Sequence, residues 1–576
     1  GVHSQADSFD GRSRVLGWSI SPDTLIRWGG NLAHVLPDSG IGLLRWEAGE
    51  PGSFVFPRWN ASEKMQTILN SCRTAGISFG LLLSRPASPH EEFSQRWGKD
   101  LEVLPAEVLS QIHWLQLGHE ANPLCSSQQE AEAEFLRLSQ GLTPDLPIRE
   151  AIIPLGEKVL DQKGDRADLQ KSFPPHLRVE TCRVANWQRT KPKGSSEETA
   201  TTRGTPSGRQ IFAQAGSLPR TLASIRIVPS EDAPTSELAA KLVQGICQAA
   251  AADPSWILLT LEERLLSGLC SPAGGPGELF LPWWISAELL REAKPLGLLP
   301  VGPQATGWLF SRKGEGLLVI WSEEASSIPL TLPHGARMID PWGQSEEISP
   351  GGDPTFLPVG PLPKFILCQD FWPLAWQKDC HFEPSQLLPY PGTAQSLKIQ
   401  FTNPAAFPVR GTLLVSGPAG FRIHPHEFRY HLGPRERFES TVQITAPSHA
   451  LEGGHTVRWL FRFEEPENTT LAIDRQIQLR WPGLDFGTAK LLSNPPGKVF
   501  QVDLYNGTGS DLHLILELFG LNRKRAALPP QVFTPGHHQI RIPLEEGTQE
   551  TEETFILQVR EVNGPRRIRI LIKPIH

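Results

Sequence analysis

The first 300 residues alternate short apolar runs of strand length with longer runs of helical spacing, and this alternation constrains the fold most strongly. Eight strand-like runs recur along this part of the chain. They are Val15–Ser21, Ile41–Trp46, Ile77–Leu83, Ile112–Leu117, Glu150–Pro154, Val179–Ala185, Ser224–Val228 and Trp256–Leu261. Strands that alternate with helices over about this length predict a (β/α)₈ TIM barrel.

The pattern changes after the barrel-like part to short strands separated by Gly and Pro turns, without helical spacing. We therefore predict a multidomain α/β plus all-β chain with four units. Residues 1–300 form the barrel, 301–370 a small antiparallel β domain packed on it, 371–482 a first β-sandwich and 483–576 a second. Residues 369–391 are interpreted as a connector.

Composition excludes several function classes. The net charge is −7 with acidic and basic residues intermixed, which gives no electrostatic footprint for nucleic acid. No run of 18 apolar residues occurs, so we expect no membrane span. The first residue is Gly rather than Met, which favours a processed start from which any secretion signal has gone.

The cysteines give no metal-binding pattern. The chain has seven Cys, no Cys-x-x-Cys pair and no His/Cys ligand spacing, so we expect neither a metal nor a cofactor. Cys368 and Cys380 flank a short segment, which leaves a local disulfide and buried thiols as alternatives.

The end of the fourth strand-like run carries the main candidate for chemistry. Ile112–Leu117 is followed by Gly118-His119-Glu120-Ala121-Asn122-Pro123, so that an apolar strand stops at a Gly with a carboxylate two residues later. In a (β/α)₈ barrel, the catalytic residues lie at such strand ends. The alternative is that Glu120 is a solvated loop residue or belongs to the next helix entrance.

These motifs resemble clan A glycoside hydrolases, which are retaining glycosidases on (β/α)₈ barrels. The resemblance covers roughly the first 370 residues, through strand order and short motifs. The family's fourth strand usually ends in Gly-Asn-Glu-Pro with Glu as the acid/base, which implies that role for Glu120. The family's nucleophile is a Glu at the end of the seventh strand, which implies Glu231 in Val228-Pro229-Ser230-Glu231-Asp232. An ordinary helix entrance is the alternative for Glu231.

Weaker matches extend the implied site. Arg45 ends the second strand, where the family often has an Arg that steadies the nucleophile, although Glu47 is an alternative partner for it. Trp187 ends the sixth strand and could face a sugar ring. Glu262 ends the eighth strand and could bind sugar hydroxyls or simply pair with Arg264.

Two departures from the family pattern leave the function open. His119 replaces the family's Asn, and the seventh strand lacks the usual Thr-Glu-x-Gly form. We therefore expect either a secreted or cell-surface retaining glycosidase, or a catalytically degenerate barrel that serves in extracellular assembly or glycan binding. Carbohydrate is the expected partner. The later β units resemble immunoglobulin-like sandwiches and offer exposed edges, so self-association is possible without being supported.

Overall fold

The computed structural model describes residues 14–21, 28, 31–47, 63–83, 108, 111–117, 129–131, 150–158, 177–189, 212–214, 220–228, 232–302, 305–348, 355–369, 371–465, 469–494, 497–520, 526–544 and 554–573. Across them the chain has a parallel α/β N-terminal region followed by a large all-β C-terminal region.

The N-terminal region contains all eight predicted strands and one short addition. Its strands are β1 (Val15–Ile20), β2 (Leu43–Glu47), β3 (Ser78–Leu83), β4 (Ile112–Leu117), β5 (Glu150–Lys158), β6 (Leu177–Arg189), β7 (Phe212–Gln214), β8 (Arg220–Ile227) and β9 (Trp256–Leu261). Its helices are α1 (Glu63–Ala75), α2 (Thr235–Ala251), α3 (Glu263–Leu269) and α4 (Phe280–Leu290), with a 3₁₀ turn at Leu36–Asp38.

Strand pairing follows chain order with one departure from the expected barrel. The sheet runs β5-β4-β3-β2-β1-β9-β8-β6-β7, and β5 also pairs with β6. Seven strands pair in parallel in the order β8-β9-β1-β2-β3-β4-β5. By contrast, β6 is antiparallel to both β5 and β8. The all-parallel arrangement expected of a (β/α)₈ barrel is therefore wrong at the sixth strand.

The two faces of this sheet bury different side chains, because successive residues of a strand point to opposite faces. Trp18, Leu44 and Leu259 belong to the large core that also contains the buried side chains of α1, α2 and α4. The alternate residues face the other way, and we call this the inner face. Its apolar part contains Val15, Leu43, Trp114, Leu222, Trp256 and Leu258.

Gly80 makes room for Trp114 on the inner face. A Cβ at Gly80 would lie 2.0 Å from Cε2 of Trp114, far inside van der Waals contact. The indole of Trp114 in turn meets Trp256 edge to face, with ring centroids 5.2 Å apart. A glycine on β3 is therefore what allows two large aromatic rings to fill the amino-terminal half of the inner face.

A small β unit follows and shares its core with the N-terminal region. Its strands are β10 (Lys294–Leu299), β11 (Ala305–Arg312), β12 (Glu315–Ser322), β13 (Ser326–Leu330), β14 (Arg337–Ile339), β15 (Ser345–Glu347), β16 (Thr355–Val359) and β17 (Lys364–Cys368). The main sheet is ordered β10-β11-β12-β17-β14-β15. Phe310 and Val319 join the large N-terminal core, while Leu309 and Leu318 face a second cluster. One sheet thus seals two cores.

The segment predicted to be a connector contains a helix, α5 (Trp372–Asp379). Leu374 belongs to the cluster of the small β unit, whereas Trp376 belongs to the next cluster along the chain. Arg475 is buried and donates to the backbone carbonyls of Gln377 and Cys380 at the carboxyl end of α5. A cation there complements the carbonyls at the carboxyl end of the helix, so α5 is fixed between two units.

Two further β units each enclose one hydrophobic cluster between two sheets. The first has β18 (His381–Glu383), β19 (Gln386–Leu387), β20 (Ala394–Thr402), β21 (Val409–Ser416), β22 (Arg422–His424), β23 (Glu427–Leu432), β24 (Arg437–Thr445), β25 (Gly453–Glu465) and β26 (Thr469–Leu479). The second has β27 (Leu484–Asn494), β28 (Gly497–Asn506), β29 (Leu512–Gly520), β30 (Ala526–Ala527), β31 (Gln531–Phe533), β32 (Gly536–Leu544), β33 (Phe555–Glu561) and β34 (Arg567–Ile572).

These last two units meet through backbone hydrogen bonds and a buried carboxyl group. The N–H of Arg567 donates to the carbonyl of Pro389 at 2.8 Å, and the N–H of Glu452 donates to that of Arg569 at 2.6 Å. The Glu452 side chain is partly buried beside the Arg480–Asp485 ion pair. Burial raises the pKa of Glu452 to about 7, with Arg480 opposing the rise and Asp485 adding to it.

We predict that Gly80→Ala destabilises the N-terminal region by about 1–3 kcal/mol, because the new methyl group must displace the Trp114 ring. Urea unfolding followed by tryptophan fluorescence measures the change. Gly275→Ala is the matched control: no atom lies within 4 Å of its added Cβ, so its effect should stay within about 0.5 kcal/mol. Equal effects of the two substitutions would contradict the packing argument.

We also predict that Glu452→Gln stabilises the joint between the last two units at alkaline pH. The folded-state pKa of about 7 lies above the ordinary 4.5, so the neutral carboxyl favours the folded state. Wild-type stability is then lost as pH rises through about 7, whereas the amide does not titrate. Thermal melts should coincide at pH 4 and separate at pH 8, with the variant melting higher. Melts that stay superimposed at pH 8 would refute this.

Candidate functional site

A polar layer replaces the apolar one at the carboxyl ends of the strands on the inner face. Ser19 on β1 is paired in register with Arg45 on β2 and with Thr260 on β9. Gln116 on β4 is opposite Leu82 on β3, which is itself opposite Glu47 on β2. Gln116 is therefore level with Glu47, two residues nearer the carboxyl ends of the strands than Arg45. Ser19, Arg45 and Gln116 are all fully buried.

Arg45 connects three strands through its guanidinium group. Its Nε donates to Oγ of Ser19 at 2.7 Å, and its Nη1 donates to Oε1 of Gln116 at 2.9 Å. Its Nη2 lies 3.5 Å from Oε1 of Glu47. A buried guanidinium is tolerated only with such partners, because losing water around an unpaired charge costs far more than these bonds return.

Glu47 is the carboxylate that this arrangement holds in place. Its Oε1 accepts a hydrogen bond from the Ser19 hydroxyl at 2.7 Å as well as the contact with Arg45. Its side chain is 19% exposed, in contrast to the fully buried Arg45. The alternative expectation that Glu47 is a partner of Arg45 is confirmed. All its contacts within the described residues use Oε1.

A second ion pair lies at the same strand edge, nearer to solvent. Nε of Arg226 on β8 is 3.4 Å from Oε1 of Glu262, and the two side chains are 50% and 37% exposed. Glu262 precedes α3 as its N-cap residue. Glu262 therefore pairs with Arg226 and not with Arg264, the partner given as an alternative above, while Arg264 donates to the carbonyl of Ala233.

The predicted catalytic pair lies outside the described residues. Glu120 and His119 follow β4, which ends at Leu117, and Glu231 follows β8, which ends at Ile227. Trp187 lies on β6, whose backbone the structure describes. These four assignments therefore stay predictions, and of the predicted residues Arg45 and Glu262 can be placed.

Sequence reasoning missed Ser19, Gln116 and Arg226. Each is a polar residue at an inner-face position of an otherwise apolar strand, two or four residues from a member of the inner apolar layer. That alternation was a usable signal, since a polar side chain on a buried face requires a partner. Ser19 and Gln116 lie 26 and 71 positions from Arg45 in the sequence, so local patterns do not reveal that they are its partners.

The described cysteines do not offer a nucleophile or a disulfide. Cys368 and Cys380 are both buried thiols, so the disulfide alternative is wrong. Burial raises the pKa of Cys72, Cys270 and Cys380 to about 12, which keeps these thiols protonated and unreactive at neutral pH.

Two further findings apply to the described part of the chain. It contains no cluster of three or more His, Cys, Asp or Glu side chains arranged to hold a metal ion. No helix in the described ranges has the length and apolar character needed to cross a membrane.

We predict that Arg45→Met lowers the free energy of unfolding by about 3–5 kcal/mol, because Ser19, Gln116 and Glu47 lose a buried partner together. Urea unfolding measures it. Arg226→Gln is the control: its ion pair is half exposed, so its loss should change stability by less than about 1 kcal/mol. A small effect at Arg45 would contradict its role as the connector of three strands.

Comparisons with known proteins do not identify a family. No protein-family model matches the chain, and no curated protein matches it either. Among solved structures it is similar to a glycoside hydrolase family 30 subfamily 8 xylanase from Clostridium acetobutylicum, with 10% identity, 62% of this chain and 97% of that one covered, and a TM-score of 0.33. A Pseudomonas aeruginosa chaperone (11% identity, 33% and 97% covered) and red sea bream transglutaminase (10%, 34% and 31%) have TM-scores of 0.13 and 0.19. These scores are too low to establish a shared fold.

Proposed function

We propose that this chain is a retaining glycoside hydrolase whose N-terminal region is a closed barrel of eight strands. The pairings support closure, because β5 bonds to β6, β6 to β8 and β9 back to β1. The antiparallel β6 makes it a variant of the (β/α)₈ barrel. The site is proposed at the carboxyl ends of the strands, where such barrels place their chemistry.

The polar layer around Arg45 is the observation that carries the proposal. The inner face is apolar at the amino ends of its strands and charged at the carboxyl ends, through Arg45, Glu47, Arg226 and Glu262. A barrel interior can be filled by apolar side chains alone, so the buried Arg45 and the largely buried Glu47 support a functional site at this end. The strands that lead into Glu120 and Glu231 end at this same edge.

Two carboxyl groups then divide the chemistry. Glu231 attacks the anomeric carbon as a carboxylate while Glu120, protonated, delivers its proton to the oxygen of the leaving sugar. Water subsequently attacks the glycosyl-enzyme ester with Glu120 as base, which restores both groups. Retention by this route requires the carboxyls to lie about 5–5.5 Å apart.

The remaining residues are proposed to bind the substrate. His119 donates a hydrogen bond to the sugar beside the cleaved bond, and Trp187 stacks on a sugar ring. Glu262 accepts from sugar hydroxyls while Arg226 holds it at the strand edge. Arg45 positions the Glu47 carboxylate from its buried place.

The later β units are proposed as supports for this barrel on a secreted or cell-surface protein that acts on an oligo- or polysaccharide. Their interpretation as immunoglobulin-like sandwiches fits two sheets around each of two cores. The shared helix α5 and its anchor Arg475 would hold them at fixed positions relative to the small β unit.

We predict that Glu120→Gln and Glu231→Gln each reduce hydrolysis of a reactive aryl glycoside by at least about 100-fold, since each removes a group that takes part in the transition state. A panel of aryl glycosides supplies the substrate, and NMR of the first-formed anomer should show retained configuration. Glu292→Gln is the matched control, because Glu292 is exposed and pairs with Lys313 beside β10.

Each outcome of this experiment decides a separate point. Turnover that both variants retain would overturn the assignment of the two carboxyls. An inverted product with both variants inactive would keep the site but refute the nucleophilic role of Glu231. Absence of turnover across the panel in the wild-type protein would overturn hydrolysis itself.

A further inference from the structure

The outer face of the second sandwich carries three arginines in adjacent positions. On the paired strands β33 and β34, Arg560 lies opposite Arg567, and Gln558 lies opposite Arg569. Their neighbours Val559 and Ile568 point the other way into the core. The three side chains therefore share one face, which we call the arginine face.

Two of these arginines converge on one neutral oxygen. Oε1 of Gln558 accepts from Nε of Arg567 at 3.0 Å, from Nη2 of the same residue, and from Nε of Arg569 at 2.8 Å. An amide oxygen offers two lone pairs and no net charge, so three donors from two cations exceed what it can satisfy. The amide nitrogen of Gln558 is directed at Glu517 instead.

Among the residues that the structure describes, the arginine face carries three positive charges and one negative charge, the carboxylate of the buried Glu517 opposite Gln558. Within the described residues, none of Arg560, Arg567 and Arg569 forms an ion pair, whereas the adjacent Arg566 is paired with Glu561. Burial, followed by the charges of Arg569 and Arg560, lowers the pKa of Arg567. Guanidinium groups this close repel one another unless an anion lies between them.

The position of the arginine face gives a ligand there a structural consequence. A small cavity between the last two units is lined by Arg567 and Arg569 from one unit and by Pro389, Pro447 and Ser448 from the other. The backbone bonds from Arg567 to Pro389 and from Glu452 to Arg569 flank it. Arg567 and Arg569, though not Arg560, thus line the joint, so an anion held by their side chains would bind beside it.

We propose that the arginine face, with Arg560, Arg567 and Arg569, is an oxyanion-binding site that takes a sulfate or phosphate group and stabilises the joint between the two sandwiches. A tetrahedral oxyanion offers several charged acceptors, which match planar guanidinium donors far better than one amide oxygen does. The group can arrive as a free ion or on a sulfated polymer. The site is separate from the barrel and independent of the function proposed for it.

Calorimetric titration of the full chain tests the proposal with sodium sulfate, sodium phosphate and dextran sulfate, against sodium chloride at equal ionic strength. We expect saturable binding of sulfate or phosphate, and a higher melting temperature at saturation. The double variant Arg567→Gln/Arg569→Gln should weaken binding by roughly 10- to 100-fold for each lost arginine. Arg560→Gln, whose side chain is exposed, should weaken it without affecting folding.

The control variant is Arg429→Gln, an exposed arginine of the first sandwich that should leave binding unchanged. Tighter binding of dextran sulfate than of free sulfate, lost in the same variants, would assign the site to a polymer; equal or weaker binding would assign it to the free ion. No saturable binding of any of the three probes by the wild-type protein would overturn the proposal. Equal binding by wild type and Arg560→Gln, with the double variant also unchanged, would overturn it as well.

Discussion

Burial of the Arg45 guanidinium is the constraint on which the inner face of the N-terminal region depends. A fully buried cation needs partners from the structure itself, and here Ser19, Gln116 and Glu47 supply them from three strands. A slip of one residue in β1 or β4 would turn Ser19 or Gln116 to the opposite face and remove a partner of the buried charge. The polar layer therefore selects one register for the strands, independently of any role in binding a ligand.

The C-terminal region is held by a different means, in which neighbouring units share elements. The sheet of the small β unit contributes Phe310 to the N-terminal core and Leu309 to the core of the small unit itself. Both cores therefore depend on the same sheet. Helix α5 repeats this arrangement one step further, with Leu374 and Trp376 in successive clusters and Arg475 closing its carboxyl end. Units joined in this way cannot swing freely, because reorientation would expose apolar surface from both sides.

The sequence was sufficient for the strands of the N-terminal region and insufficient for the direction of one of them. The apolar pattern predicts that β6 is a strand, but the same pattern is compatible with a strand that is parallel or antiparallel to its neighbours. Helix α5 was missed because it is short, begins at Trp372-Pro373 and buries residues against two units, so no single apolar stripe marks it. At the site, Arg45 and Glu47 were identifiable as a charged pair on one strand. The partners Ser19 and Gln116 depend on contacts between distant strands, which one sequence does not encode locally.

The two ends of the inner face differ in polarity and in exposure to water. At the amino ends, Gly80 admits Trp114 against Trp256, and this apolar packing excludes water. Toward the carboxyl ends the exposed fraction rises from zero at Arg45 to 19% at Glu47 and 37% at Glu262. Water weakens charge interactions progressively along this path, so Arg45 exerts its strongest field on groups beside it and little on those at the edge. A ligand that covered the edge would remove that water, and the same fixed charges would then act on it at lower dielectric, which is the condition under which preorganised groups stabilise a transition state.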